Sequence, residues 1–156
     1  NGILAVGMTF VILTGGIDLS VGSVVAITGV IVGSLLQSGT NWFLASLAAL
    51  VVSAICGVFN GWLISYVGFQ PFIATLAMTY VLKGIVQIYT NGQTIGGVNK
   101  ARFLGHGSIL GIPVPVLIML LSVIVIAVLM KSTKFGTYIY AIGGNEQASI
   151  QTERNV

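Results

Sequence analysis

The sequence predicts an all-α, polytopic transmembrane protein, and three observations support this fold class. The 156 residues are 56% hydrophobic and only 6% charged, whereas soluble globular chains carry about 25% charged residues. Asp18 is the only charged residue that precedes Lys83, so a long part of the chain has almost no charge to place in water. Five apolar runs alternate with short polar or glycine-rich segments, which is typical of successive membrane-spanning helices.

The five apolar runs differ in length. The predicted spans lie near residues 2–13, 21–36, 42–64, 71–89 and 113–130. The last three meet the requirement of roughly 20 residues for a spanning helix. The first two are shorter, so they form either two full spans or one broken, re-entrant element, whose backbone needs cover from protein or water. Residues 1–130 are therefore the predicted transmembrane region.

Residues 131–156 form a polar segment, and its charge predicts the orientation of the chain. Lys131 and Lys134 follow the last span, and basic residues beside a span favour the cytoplasmic side. Counting back through the spans puts the loop Thr90–Ile112 outside and the break around Asp18 towards the inside. Lys100 and Arg102 both lie in the loop predicted to be outside, which runs against this rule.

The composition argues against several functions. The basic residues are dispersed, which predicts no nucleic-acid partner. Cys56 and His106 are the only cysteine and histidine, so no disulfide framework or zinc site is expected. No phosphate-binding Gly-x-x-x-x-Gly-Lys-Ser/Thr loop and no nucleophile elbow occurs. We therefore expect no catalytic residues, no metal and no enzyme activity. Transport against a concentration gradient would need energy from a coupled ion or from another subunit.

Asp18 lies in the polar break Thr14–Ser20, between the first two apolar runs. A carboxylate at membrane depth is costly and is by default a functional candidate; here Thr14 and Ser20 would be its polar partners. Alternatively, Asp18 is the N-cap of a helix that begins near Leu19. The two interpretations are compatible, because transporters often place polar groups at broken helix ends.

A polar stripe follows the fourth run. Thr75, Thr79 and Lys83 are four residues apart and share one helical face, and Gln87 extends it. The stripe either lines a pathway for a hydroxylated solute or makes interhelical hydrogen bonds, with Lys83 reaching to the interface. The candidate pathway residues are Asp18, Thr14, Ser20, Asn60, Thr75, Thr79 and Gln87.

The segment after the last span contains Gly143-Gly144, which we expect to break the chain. Asn145 then caps a short helix over residues 146–153. This helix either rests on lipid headgroups or offers a docking surface to a cytosolic protein.

Three stretches resemble the membrane permease subunits of ribose-type ABC sugar importers. They are AVGMTFVILTGGIDLSVGS at 5–23, QPFIATLAM at 70–78 with YTNGQ at 89–93, and FGTYIYAIGGNE at 135–146. The resemblance implies an internal piece of a longer permease, without its first span and its C-terminal half. It also implies import of a ribose-like monosaccharide across the bacterial inner membrane.

The same resemblance implies a set of partners. A second permease subunit, identical or related, completes the pore in the lipid membrane. A cytoplasmic ATP-binding subunit holds ATP and Mg, so this chain itself holds no cofactor. A periplasmic or lipoprotein sugar-binding protein delivers the cargo. Gly143, Gly144, Asn145 and Glu146 correspond to the segment that couples to the ATPase.

Three alternatives remain open at this point. A branched-chain amino acid ABC permease shares the broad superfamily, but its zwitterionic cargo asks for charge partners that this sequence offers sparingly. An ion-coupled secondary transporter or channel would use Asp18 as its coupling group. In a non-transporting membrane scaffold, the polar stripe would only hold helices together.

Overall fold

The computed structural model describes residues 1–96 and 102–144, and this part of the chain is mainly helical. The helices are α1 Gly2–Leu13, α2 Val21–Gln37, α3 Trp42–Ser65, α4 Pro71–Thr90, α5 Arg102–His106, α6 Val114–Ser132 and α7 Lys134–Gly144. Two short antiparallel strands, β1 Ser108–Ile109 and β2 Ile112–Pro113, form a hairpin. The all-α fold class is therefore confirmed.

The long helices coincide with the predicted apolar runs. Within residues 1–96 and 102–144, α3, α4 and α6 are long and apolar enough to cross a membrane. Helices α1 and α2 are apolar but have only 12 and 17 residues. Whether these two helices are full spans or one broken element stays a prediction, as does the division at residue 130.

The helix ends follow from local chemistry. Asn41 is the N-cap of α3, and its side chain accepts a hydrogen bond from the Phe43 N–H. Pro71 is the first residue of α4, where its missing N–H costs nothing. Asn91 ends α4 in the left-handed conformation with φ 49°, which asparagine tolerates better than most residues.

The segment Thr90–Ile112, expected to be a loop, contains the short helix α5 and the hairpin in its described part. The hairpin turn is Leu110-Gly111, with φ of 52° and 81°. Positive φ at both turn positions is the type I′ geometry that matches the twist of two strands. Leucine at the first position gives no sequence signal for this turn, which is why the pattern did not predict it.

The chain divides into two compact units. One comprises residues 1–17 and the described part of residues 108–156, where α1 packs on α6 and α7. The other is Asp18–Gly107, where α2 packs on α3 and α4. The core of the second unit is Ile27, Cys56 and Leu82.

Candidate functional site

The unwound segment Asp18–Ser20 comes directly before α2. Asp18 Oδ1 accepts two hydrogen bonds from Ser20, at 2.7 Å from the backbone N and 2.6 Å from Oγ. Ser20, not Asp18, is the N-cap of α2, which begins at Val21. The Ser20 side chain makes no capping hydrogen bond, whereas the Asp18 carboxylate accepts from the N–H two residues ahead, as a capping aspartate does; the helix begins two residues later than expected. The carboxylate closes a local turn two residues ahead, as aspartate side chains commonly do.

Helix α4 binds the peptide groups of Leu19 through two threonines. Thr75 Oγ1 accepts a hydrogen bond from the Leu19 N–H at 3.2 Å, and Thr79 Oγ1 donates one to the Leu19 carbonyl at 2.9 Å. Their four-residue spacing places the two hydroxyls one turn apart on the same face. Helix α4 thus supplies partners to backbone outside a helix, which any irregular segment at membrane depth requires.

The hydroxyl protons of both threonines have defined acceptors. Thr75 Oγ1 donates to the Pro71 carbonyl at 2.7 Å, which leaves its oxygen free to accept from Leu19. Thr79 Oγ1 is also 2.9 Å from the Thr75 carbonyl, so its proton is shared between two acceptors. Thr75 is 2% exposed and Thr79 9%. The polar groups are therefore buried and bonded, which is the condition for stability in an apolar interior.

Helix α3 contributes Asn60, whose Nδ2 donates to Ser20 Oγ at 3.1 Å. Because the Ser20 hydroxyl gives its proton to Asp18, its oxygen must accept from Asn60, and this fixes the orientation of the amide. Asn60 Oδ1 is buried and has no hydrogen-bond partner among the described residues. Such an acceptor costs about 1–3 kcal/mol. The Asn60 amide thus donates a hydrogen bond to the Ser20 hydroxyl, while its side-chain oxygen Oδ1 remains buried without a partner among the described residues.

Five of the seven candidate pathway residues therefore meet at the segment Asp18–Ser20 in two sets of hydrogen bonds, which together we call the polar cluster: Asp18, Ser20, Asn60, Thr75 and Thr79. The threonines of the stripe bond inside the protein, but to the unwound Leu19 backbone and not to a second helix. Whether the polar cluster also lines a pathway stays a prediction. Asp18 is half-buried and its hydrogen-bond partner Ser20 is uncharged.

The other two candidates are not part of the polar cluster's hydrogen bonds. Thr14 ends α1, and its hydroxyl donates to the carbonyls of Phe10 and Val11 one turn earlier. Gln87 is exposed near the end of α4, and Lys83 is exposed as well. The buried part of the predicted stripe therefore ends after Thr79.

Sequence reasoning missed two members of this arrangement. The first is the Leu19 peptide, because a leucine gives no sign that its backbone is the polar partner. The second is Ser23, which donates to the Ser20 carbonyl at 2.7 Å and is 2% exposed. Its spacing of three from Ser20 was a usable signal, since hydroxyls in a first helical turn commonly bind the carbonyl three or four residues back.

Two of the four candidate coupling residues, Gly143 and Gly144, are the last residues of α7. Asn145 and Glu146 are outside the described residues, so the expected break of the chain at this glycine pair stays a prediction. The packing gives a reason for Gly143: a Cβ there would overlap the backbone carbonyl of Leu13 in α1, whereas a Cβ at Gly144 meets nothing within 4 Å.

A ring pair accompanies the Gly143 contact. Phe10 of α1 and Phe135 of α7 have centroids 5.9 Å apart and an interplanar angle of 57°. This tilted arrangement is one that aromatic pairs favour. Both ends of α7, at Phe135 and at Gly143, thus contact the last turn of α1.

Comparison with known proteins places the chain among transport proteins. Residues 1–151 match the family described as the permease component of the branched-chain amino acid transport system. The chain belongs to this family. Membership of this family agrees with the membrane protein that the apolar helices predicted.

The most informative relatives are sugar permeases. The chain is 44% identical to the ribose import permease of Bacillus subtilis, over 96% of this chain and 48% of the relative. It is also 44% identical to the ribose import permease of Haemophilus influenzae, over 100% and 50% of the two chains. A fructose import permease of Bifidobacterium longum is 40% identical, over 96% and 43%.

The chain thus spans about half the length of the curated relatives it matches. No solved structure matches it. The resemblance to ribose-type permeases, drawn from the three motif stretches, is confirmed.

Proposed function

We propose that this chain is part of a permease subunit of a bacterial ABC importer, which moves a ribose-like monosaccharide inward across the inner membrane. The observation that carries the proposal is the 44% identity to ribose import permeases over almost the whole chain.

The polar cluster gives the proposed pathway a fixed element. Transport by alternating access requires an irregular segment that keeps its shape while the pore changes state. The segment Asp18–Ser20 has its peptide groups bonded to α4 and its serine bonded to α3. We therefore assign Asp18 a supporting role in which the carboxylate holds Ser20 in place.

Energy enters from a separate subunit in this proposal. The cytoplasmic ATP-binding subunit, with its ATP and Mg, docks on the segment that follows α7, and Glu146 supplies the acidic contact. Gly143 lets α7 approach the backbone of α1, and α6 leads directly into α7, so both helices are placed to receive the motion from α7. A second permease subunit and a sugar-binding protein complete the importer.

A branched-chain amino acid permease is the weaker alternative, although the family description names such systems. A zwitterion brings an ammonium and a carboxylate, and each charge needs a partner when it leaves water. The polar cluster offers one carboxylate, that of Asp18, and its Oδ1 already accepts two hydrogen bonds from Ser20. Several relatives are named for sugars instead.

Co-purification tests the proposed coupling. The intact parent protein is purified from membranes, and we expect a cytoplasmic ATPase subunit to accompany it. Glu146→Lys should abolish this association and uptake while membrane insertion stays normal. The lysine would repel the surface of the ATPase that we expect to bind the acidic Glu146. Glu146→Gln is the control of similar shape. Normal uptake in Glu146→Lys and Glu146→Ala contradicts the coupling role, and no ATPase with the wild type favours an ion-coupled transporter.

A further inference from the structure

A second polar site lies where α2 and α4 end. This opening, which we call the α2–α4 pocket, has a volume of about 540 Å³, within the range of roughly 300–1,000 Å³ typical of small-molecule sites. Its polar lining includes Ser34, Gln37, Tyr89, Thr90, Gln93 and Thr94. Among residues 1–96 and 102–144, no charged residue lines it. It is separate from the polar cluster, to which none of these residues belongs.

The backbone builds the α2–α4 pocket within a single compact unit. Helix α4 ends at Thr90, and Asn91 and Gly92 follow with φ of 49° and 71°, which reverses the chain. The returning residues reach the end of α2, where Gln37 Nε2 donates to the Gly96 carbonyl at 2.6 Å. The rim is thus joined by a hydrogen bond between segments far apart in sequence.

The side chains of the pocket leave hydrogen-bonding capacity unused. Thr90 gives its proton to the Val86 carbonyl, which leaves its oxygen as an acceptor. Within the part of the chain that the structure describes, the side chains of Ser34, Gln93 and Thr94 form no hydrogen bonds. Hydroxyls and amides both donate and accept. This mixture fits a ligand with several hydroxyl groups.

We propose that the α2–α4 pocket binds a neutral, hydroxyl-rich solute of monosaccharide size. Tyr89, which is 62% exposed, offers a ring face to the apolar side of the solute and a hydroxyl to its edge. The proposal deepens the sugar-import function and rests on it for the identity of the cargo. With residues 131–156 cytoplasmic, the charge rule puts this end of α2 and α4 outside, where the sugar arrives.

Direct binding tests this site. The intact parent permease is placed in lipid nanodiscs without its binding protein and titrated with D-ribose, followed by saturation-transfer NMR. We expect Gln93→Leu and Tyr89→Phe each to weaken binding about three- to tenfold, the loss of one hydrogen bond. Tyr89→Phe keeps the ring, so its folding is secure. Gln70→Leu, the same exchange at the exposed first end of α4, should bind as the wild type does.

Two results overturn the site. One is D-ribose affinity unchanged in both Gln93→Leu and Tyr89→Phe. The other is a wild-type permease that binds no D-ribose, or that binds L-leucine in competition with it. ATP-dependent uptake, measured on the same preparations with the ATPase and binding protein added, separates the two proposals. If the pocket variants take up D-ribose as fast as the wild type does, only the pocket site is contradicted. If the variants weaken D-ribose binding but uptake does not depend on ATP, only the importer function is contradicted.

Discussion

The two compact units fix their central contacts by opposite means. In Asp18–Gly107, hydroxyl and amide groups bind an irregular backbone segment, so each contact depends on a donor or acceptor that is present. In the unit formed by residues 1–17 and 108–144, α7 meets α1 because Gly143 has no side chain. The first arrangement is sensitive to a lost polar atom, and the second to an added carbon atom.

The largest effect should come from adding that carbon atom. Gly143→Ala places a methyl group on the Leu13 carbonyl, and because backbone must move, we expect a loss of about 1–3 kcal/mol in the free energy of unfolding. Gly144→Ala, with open space at its Cβ, should be neutral or slightly stabilising. Thermal unfolding in detergent measures both. Equal melting temperatures for the two variants would show that the close contact is absent.

Removing a polar atom from the other unit should cost somewhat less. Thr75→Val keeps the side-chain volume but takes the acceptor from the part-buried Leu19 N–H, and we expect a loss of about 1 kcal/mol, the low end for a donor left unpaired. Thr79→Val should cost less, because it removes a shared hydrogen bond. Thr28→Val is the control, since Thr28 bonds only within α2. Thr75→Val as stable as this control would contradict the polar cluster.

The smallest effect should come from neutralising Asp18. Asp18→Asn keeps an oxygen that accepts from Ser20, so we expect a loss of about 1 kcal/mol or less, the difference between a charged and a neutral acceptor. Asp18→Ala removes both hydrogen bonds and should lose more. Insertion and uptake of D-ribose are measured with stability. If Asp18→Asn inserts and transports as the wild type does, the charge has no essential role; abolished uptake at unchanged stability would favour Asp18 as a coupling group.

Sequence predicts these two regions unequally well. The helices follow from apolar runs, and Asn60, Thr75 and Thr79 stood out because polar residues are rare in such runs. Their shared partner, the Leu19 backbone, has no side-chain signature. The sequence indicated that the Asp18 carboxylate would bind an N–H at the start of α2, but it gave no sign that the helix begins only at Val21.

The contacts of α7 are harder to predict from the sequence than the polar cluster is. A glycine pair ordinarily indicates a break, and only the position of the Leu13 carbonyl gives Gly143 its place in a helix. The ring pair of Phe10 and Phe135 joins residues distant in sequence, so no local pattern announces it. Steric contacts of this kind depend on how helices pack, whereas polar residues within apolar runs can be recognised in the sequence.

The energy source of uptake tests the central claim most directly. Labelled D-ribose is supplied to cells that produce the intact parent protein with its ATPase and binding protein but lack ATP synthase, so that ATP and the proton gradient are controlled separately. We predict that uptake stops when ATP is depleted with the gradient maintained, and continues when an uncoupler removes the gradient with ATP maintained. Uptake that collapses with the uncoupler and survives ATP depletion would contradict the ABC importer.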